Sequence, residues 1–121
     1  MRPIKCEILG REHTVFFEEE KLEKACEDHN YDPEDTTGLY VADFREIYVS
    51  PAQDPLDVVQ TFFHECCHAI GHITGHVILQ HSTRRNEAFV NAVANGFVDV
   101  LRNREIYFLI GKLLGHVNEA A

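Results

Sequence analysis

Residues 54–75 read DPLDVVQTFFHECCHAIGHITG, and the interpretation of the rest of the chain depends on this stretch. It carries apolar residues at helical spacing, and Asp54 and Pro55 stand where an N-cap and a first helical residue are favoured. Gly75 is typical of the position just past a helix end. The stretch therefore predicts a helix from Pro55 to Thr74.

Inside this helix the chain contains His64-Glu65-Cys66-Cys67-His68, an H-E-x-x-H motif. Residues four apart on an α-helix lie about 40° apart around the axis and about 6 Å apart along it, so both imidazoles project from one face. Two imidazoles placed in this way can bind one zinc ion, and Glu65 flanks the metal where a base for a metal-bound water has to stand. The helix turns Cys66 and Cys67 away from that face, which predicts a structural role for both thiols.

A catalytic zinc ion takes three protein ligands and keeps one position open, so the motif needs a third ligand. The candidates are His72, His76, His81 and Glu87. His72 is about 12 Å along the helix axis from His64, too far for one tetrahedral ion to be shared with both motif histidines. His76 and His81 stand in or near a predicted loop at 76–84 and remain candidates. Glu87 opens the following helix, from which it can approach the metal from a different side.

The motif followed by Asn86-Glu87-Ala88, nineteen residues after the second histidine, resembles the zinc site of gluzincin metallopeptidases. The short chain, with a hairpin ahead of the motif helix, is most similar to small zincin-like proteins of bacteria and phages, including ImmA/IrrE-type domains. The resemblance covers roughly residues 38–101. It implies that His64, His68 and Glu87 bind Zn²⁺ and that Glu65 is the catalytic base. On that basis we expect a zinc metallopeptidase acting on a protein or peptide substrate.

Some positions depart from the patterns of known zinc peptidases. Gluzincins often carry an aspartate one turn after the glutamate ligand to orient the first histidine, whereas this chain has Asn91 there. An amide still orients an imidazole but supports its basicity less than a carboxylate does. A metzincin would need a histidine at position 74, where this chain has Thr74. Larger gluzincins have a residue that stabilises the oxyanion, and the candidates for that role in this chain are Tyr40, His81 and Arg84.

The segments before the motif helix are β-prone, and those after it are helical. The predicted strands cover 3–9, 13–17, 39–41 and 46–49, and the other predicted helices cover 18–29, 85–103 and 106–114. Gly10-Arg11 is the predicted turn between the first two strands, and the last two strands form a hairpin. We therefore expect a single α+β domain over 1–121. It would be minimal and zincin-like, with a small N-terminal sheet and hairpin on the H-E-x-x-H helix and a ligand-bearing helix after it.

Composition limits the classes of partner and compartment. The 121 residues include 20 acidic and 11 basic side chains, a net charge of −9, so we expect no nucleic-acid partner, which would need a basic footprint. The apolar runs are too short for a membrane span, and the first residues reach a charge before any apolar run forms. We therefore expect a cytoplasmic protein without membrane or secretory segments. The four cysteines match no paired C-x-x-C zinc pattern and are expected to be free thiols.

Two surfaces are expected to meet partners. An extended substrate would add to an edge strand formed by residues 45–50, because strand addition supplies affinity without a second domain. The third helix, 85–103, has a wide apolar stripe that suits a homo-oligomer. The same stripe would suit the alternative function, a zinc-stabilised protein-binding module without catalytic activity. The intact Glu65 favours the enzyme, because a purely structural site needs no base.

Overall fold

The computed structural model describes residues 2–80 and 83–116, and in these ranges the chain forms four strands and five α-helices. The strands are β1 (Ile4–Ile8), β2 (Arg11–Phe16), β3 (Gly38–Val41) and β4 (Glu46–Val49). The helices are α1 (Glu19–Asp28), α2 (Pro55–Thr74), α3 (Val77–Gln80), α4 (Arg84–Arg102) and α5 (Arg104–Leu113). This order confirms the predicted α+β class. Within the described ranges, every helix is too short or too polar to cross a bilayer.

Helix α2 has the bounds that the sequence predicts. Asp54 stands at its N-cap with extended backbone, Pro55 is the first helical residue, and Gly75 ends the helix in the left-handed conformation at φ 75°. Helix α4 begins one residue before the predicted start, and the Thr83 hydroxyl caps it by accepting a hydrogen bond from the Asn86 amide at 3.2 Å. The sequence pattern therefore placed both helices, and the Thr83 cap of α4 was not predicted.

The sheet is mixed, with strand order β1-β2-β4-β3. The β1–β2 and β3–β4 pairs are antiparallel, and β2 pairs with β4 in parallel. The first turn is Leu9-Gly10, both with positive φ (48° and 78°), and not Gly10-Arg11 as predicted. The reason is that Arg11 already pairs with Ile8 as the first residue of β2.

Strand β4 lies inside the sheet, so the expectation that residues 45–50 form an edge strand is wrong. One side of β4 pairs with β3, and its other side pairs with β2, where Val15 is opposite Ile47. A substrate therefore cannot add to β4. Strand β3 is the edge at this end of the sheet.

Alternate residues of β3 and β4 face opposite sides of the sheet. One side of the sheet packs on α1, and the other side packs on α2. On one side the core is formed by Leu22, Ala25, Cys26, Leu39, Val41 and Tyr48. On the other side Val15, Ile47 and Val49 contact Val58, Phe62 and Cys66 of α2. This alternation turns Gly38 and Tyr40 of β3 toward α2.

Helix α4 packs on a second face of α2. Cys67 of α2 forms a buried cluster with Val90 and Ala94 of α4. Cys66 packs toward the sheet, so both thiols point into packed clusters, as the helical geometry predicts for side chains turned away from the motif histidines. All four cysteines of the chain are free.

The segment expected to be a loop at 76–84 contains the short helix α3. Gly71 makes this possible, because a Cβ there would lie 2.5 Å from the Leu79 Cβ. The missing side chain lets α3 return over the C-terminal turn of α2. Residues 81 and 82 lie outside the described ranges, and with them the candidate ligand His81.

Candidate metal centre

His64 and His68 project from one face of α2, as their four-residue spacing predicts. Their rings meet edge to face with centroids 4.8 Å apart, and the two Nε2 atoms are 3.1 Å apart. His68 is buried, and the side chain of His64 is 13% exposed. The pair therefore points into a site that is closed on most sides.

Glu87 reaches the same point from α4. Its Oε2 lies 2.7 Å from Nε2 of His64, and its Oε1 lies 3.0 Å from Nε2 of His68. The position of Glu87 follows from the packing of α4 on α2 through Val90, three residues further along α4. Since the Glu87 side chain is one-third exposed, the site is open on the α4 side.

The far nitrogen of each imidazole is held by a hydrogen-bond acceptor. Nδ1 of His64 donates to the side-chain oxygen of Asn91 at 2.7 Å, and Nδ1 of His68 donates to the carbonyl oxygen of Leu79 at 2.5 Å. Both Nδ1 atoms therefore carry the ring proton in the neutral imidazoles. Each Nε2 then presents a lone pair, which is the form that binds metals.

Two lone pairs and a carboxylate thus converge on one point. Acceptors about 3 Å apart repel one another unless a proton or a cation lies between them. Bonds of about 2.0–2.1 Å to a tetrahedral zinc ion would hold its ligand atoms about 3.3 Å apart. The observed separations of 2.7, 3.0 and 3.1 Å are shorter than that value, and the first two end on different oxygens of Glu87. The convergence of these donor types suits a small divalent cation.

Glu65 stands beside this point on α2 and is 6% exposed. The ligand-type atoms of His64, Glu65 and His68 lie within 4.8 Å of one another, and this group can hold a metal ion. Burial and the nearby Glu87 carboxylate raise the pKa of Glu65 to about 8. A carboxyl group with that pKa can accept and release a proton near neutral pH.

Strand β3 passes close to Glu65 because residue 38 is glycine. A Cβ on Gly38 would lie 2.5 Å from Thr61 Cγ2 and 2.9 Å from Glu65 Oε2. The close approach puts the edge strand of the sheet directly against the acidic side chain. Any side chain larger than hydrogen at this position would displace one of them.

The two motif histidines, Glu65 and Glu87 open onto a cavity of about 570 Å³. Its walls are the segment 35–40, α2 and the first half of α4, and most of the additional side chains that line it are polar. They include Asp35, Gln53, Asp57, Gln60, Asn91 and Asn95. The cavity is large enough for several residues of an extended peptide or for a small polar molecule.

Two of the other candidate ligands lie away from the convergence point. The ring of His72 packs against Tyr40 with centroids 5.5 Å apart, further along the cavity. Nδ1 of His76 lies 2.7 Å from the Thr74 hydroxyl at the exposed end of α2. Among the candidate oxyanion residues, Tyr40 lines the cavity. Arg84 starts α4 and is not among the cavity-lining residues of the described ranges.

Two features of the site were not predicted from the sequence. The Leu79 carbonyl holds His68, and the signal that could have indicated it is Gly71, whose lack of a side chain admits α3. His13 of β2 is fully buried, with Nδ1 2.9 Å from the Arg11 carbonyl and Nε2 3.3 Å from the Tyr40 hydroxyl. Tyr40 is thus fixed from the sheet side.

Comparisons of the chain with protein-family models, curated proteins and solved structures gave no match. The geometry of the site is therefore the basis for the functional argument.

Proposed function

We propose that the protein is a zinc-dependent metallopeptidase with a minimal zincin-like arrangement. In this proposal His64, His68 and Glu87 hold the metal, and Glu65 transfers protons. One observation carries it. The Nε2 atoms of the two histidines and the Glu87 carboxylate converge within 3.1 Å, while both Nδ1 atoms are bonded elsewhere.

The donor set favours zinc over calcium and magnesium. Two imidazole nitrogens and one carboxylate are a usual ligand set of catalytic zinc, and they leave a fourth position open. Calcium and magnesium prefer sites made of oxygen ligands only. The acceptors that orient the two imidazoles are of the kind found around zinc ligands.

A zinc ion bound there would polarise the carbonyl of a scissile peptide bond and make a water molecule more acidic. In this proposal Glu65 takes a proton from the attacking water and returns it to the departing amine. Burial raises the pKa of Glu65 in the metal-free chain, and a raised pKa suits a group that has to hold a proton before it returns it. The positive charge of a bound metal favours the carboxylate form in which the cycle starts.

The substrate is proposed to be an extended peptide lying along β3. In the described part of the chain this strand pairs only with β4, so its other edge is available for backbone hydrogen bonds. Its first three residues line the cavity with the metal ligands. This replaces the expected use of residues 45–50.

The four free thiols support a reducing compartment, and we place the protein in the cytoplasm on that ground. The acidic charge of the chain supports a peptide substrate over a nucleic acid.

The second candidate function is a zinc-stabilised protein-binding module. The observation that favours it is the exposed apolar surface of α4 and α5, which suits a protein contact. The observation against it is Glu65, because an acid buried beside Glu87 is destabilising and has no use in a purely structural site.

Hydrolysis of a mixed peptide library by the zinc-loaded chain tests the proposal. We expect wild type to cleave peptide bonds, and Glu65→Gln to retain zinc and to lose cleavage by about 10²-fold or more. Zinc content is measured on the same samples, and His76→Ala serves as a matched histidine variant that retains cleavage. Equal cleavage by Glu65→Gln and wild type would overturn the mechanism. Zinc-loaded wild type without cleavage would favour the binding module.

A further inference from the structure

Helices α4 and α5 present a large apolar surface outside the candidate metal site. We call it the α4–α5 face, and it includes Phe89, Phe97, Val100, Leu109 and Leu113. About half or more of each of these side chains is exposed, up to 75% for Leu113. Isolated exposed apolar residues are ordinary, but this many on two consecutive helices indicate a contact surface.

Helix α4 is apolar on two opposite sides. Val90, Ala94 and Val98 are buried on the side nearest α2. Phe89 and Val100 lie on the other side, eleven residues or about three turns apart, and both are exposed. A helix at the surface of a monomer needs an apolar side only where it packs on the rest of the chain.

Gly96 lies between Phe89 and Val100 on the exposed side of α4. A Cβ built on it would meet no atom of residues 2–80 and 83–116 within 4 Å. Glycine is among the poorest residues in a helix interior, and the described part of the chain offers no contact that requires it. A neighbouring helix that crosses α4 closely at this point would require it, because two helix backbones approach most closely where side chains are small.

Helix α5 supplies the second half of the surface. It follows α4 after a single residue, contacts α4, and has no buried residue over Arg104–Leu113. A ten-residue helix is marginal in water without packing of an apolar face. Burial of its exposed Leu109 and Leu113 against another surface would stabilise it.

We propose that the occupant is a second copy of this chain and that the protein is a symmetric dimer through the α4–α5 face. The exposed apolar side chains of the two helices amount to on the order of 700 Å². A stable interface buries about 800 Å² on each partner, so the face is of the size a dimer needs. An apolar surface can pair with itself about a two-fold axis without a complementary polar pattern.

Charge also favours a second copy at this face. Residues 84–116 carry five Lys or Arg against three Asp or Glu, while the whole chain carries 11 against 20. Two copies therefore repel each other least where these helices meet. A membrane is the less favoured occupant, because only Arg104 and Lys112 of α5 are basic and the rest of the chain is acidic.

The dimer would leave the candidate metal site open. Glu87 and Asn91 line the cavity, on a different side of α4 from Gly96 and Val100. The proposal therefore does not rest on the proposed function, and either can fail alone.

Mass measurement of the full chain by light scattering and sedimentation tests the dimer. At about 100 μM, above the micromolar Kd that bounds interfaces of this size, wild type should have twice the 13.9 kDa chain mass. Val100→Glu and Gly96→Leu should be monomeric or dimerise at least about tenfold more weakly. The control is Phe44→Glu, equally radical at a site 69% exposed outside the face, and it should stay dimeric.

Circular dichroism and zinc content should be unchanged in all these variants. A monomeric wild type at that concentration would overturn the proposal, and so would an undiminished dimer in both Val100→Glu and Gly96→Leu. Sedimentation with phosphatidylserine-containing vesicles is the remaining arm. Capture of a monomeric wild type, lost in Val100→Glu, would assign the face to a membrane instead.

Discussion

Replacing Glu65 with glutamine should stabilise the metal-free protein at alkaline pH and leave its stability nearly unchanged near pH 4.5. The folded protein raises the pKa of this carboxyl from its ordinary 4.5 to about 8. Between these two values the folded chain keeps a proton that the unfolded chain has released. The wild type therefore loses stability as the pH rises from 4.5 through 8. Glutamine resembles the protonated acid and does not titrate, so its variant escapes that loss.

The size of the effect follows from the two pKa values. The difference between 4.5 and about 8 is about 3.5 pKa units, and each unit corresponds to about 1.36 kcal/mol. The ceiling is therefore about 5 kcal/mol, reached above pH 8. Water and neighbouring side chains that rearrange around the buried charge reduce the difference. We expect Glu65→Gln to gain at least about 2 kcal/mol over wild type between pH 5 and pH 9.

Urea unfolding of the two proteins in a chelator, followed by circular dichroism from pH 5 to pH 9, measures this gain. Glu7→Gln, an exposed glutamate of β1, is the matched control and should show no comparable trend. A difference between Glu65→Gln and wild type that stays flat to about 0.5 kcal/mol, or that shrinks as the pH rises, would refute the reasoning. It would mean that Glu65 is solvated in the folded chain.

Three further predictions concern the surroundings of the site. In the same urea assay, Gly38→Ala should lower the free energy of unfolding by about 1–3 kcal/mol, because its Cβ would lie 2.5 Å from the Thr61 methyl. Adding Thr61→Ser, which removes that methyl, should restore part of the loss. Asn91→Ala should weaken zinc binding about 10- to 100-fold, because it releases Nδ1 of His64. Asn91→Asp should bind zinc at least as tightly as wild type. Titration against a chelating dye measures both affinities. Burial raises the pKa of Cys66 to about 12, so iodoacetamide at pH 8 should label this thiol in urea but not in the folded protein. Mass spectrometry measures the labelling. Equal labelling in both states would contradict the packing of Cys66 against the sheet.

The parts of the site that were predictable are those fixed within a few residues. Helical geometry alone places His64 and His68 on one face, and Pro55 and Gly75 mark the bounds of α2, while the Asp54 side chain makes no capping hydrogen bond. The resemblance to gluzincins implies that Glu87 approaches the motif histidines, and in the structure its carboxylate lies 2.7–3.0 Å from both.

The parts that were missed depend on contacts between distant segments. Nothing local in residues 46–49 indicates that they pair in parallel with β2 and so lie inside the sheet. The helix at Val77–Gln80 is a single turn, and it depends on the space above Gly71, which is six residues away. The partner of His68 is a backbone carbonyl, and any residue type at position 79 could supply one.

The most direct test of the central claim is the zinc affinity of four purified chains. Wild type should bind about one zinc ion per chain, while Glu87→Ala and the double variant His64→Ala/His68→Ala should bind it far more weakly. His72→Ala removes a nearby imidazole of the same cavity and should retain nearly all of the affinity, because His72 packs on Tyr40 away from the ligand atoms. Zinc bound by Glu87→Ala as tightly as by wild type, or lost from His72→Ala, would contradict the ligand set.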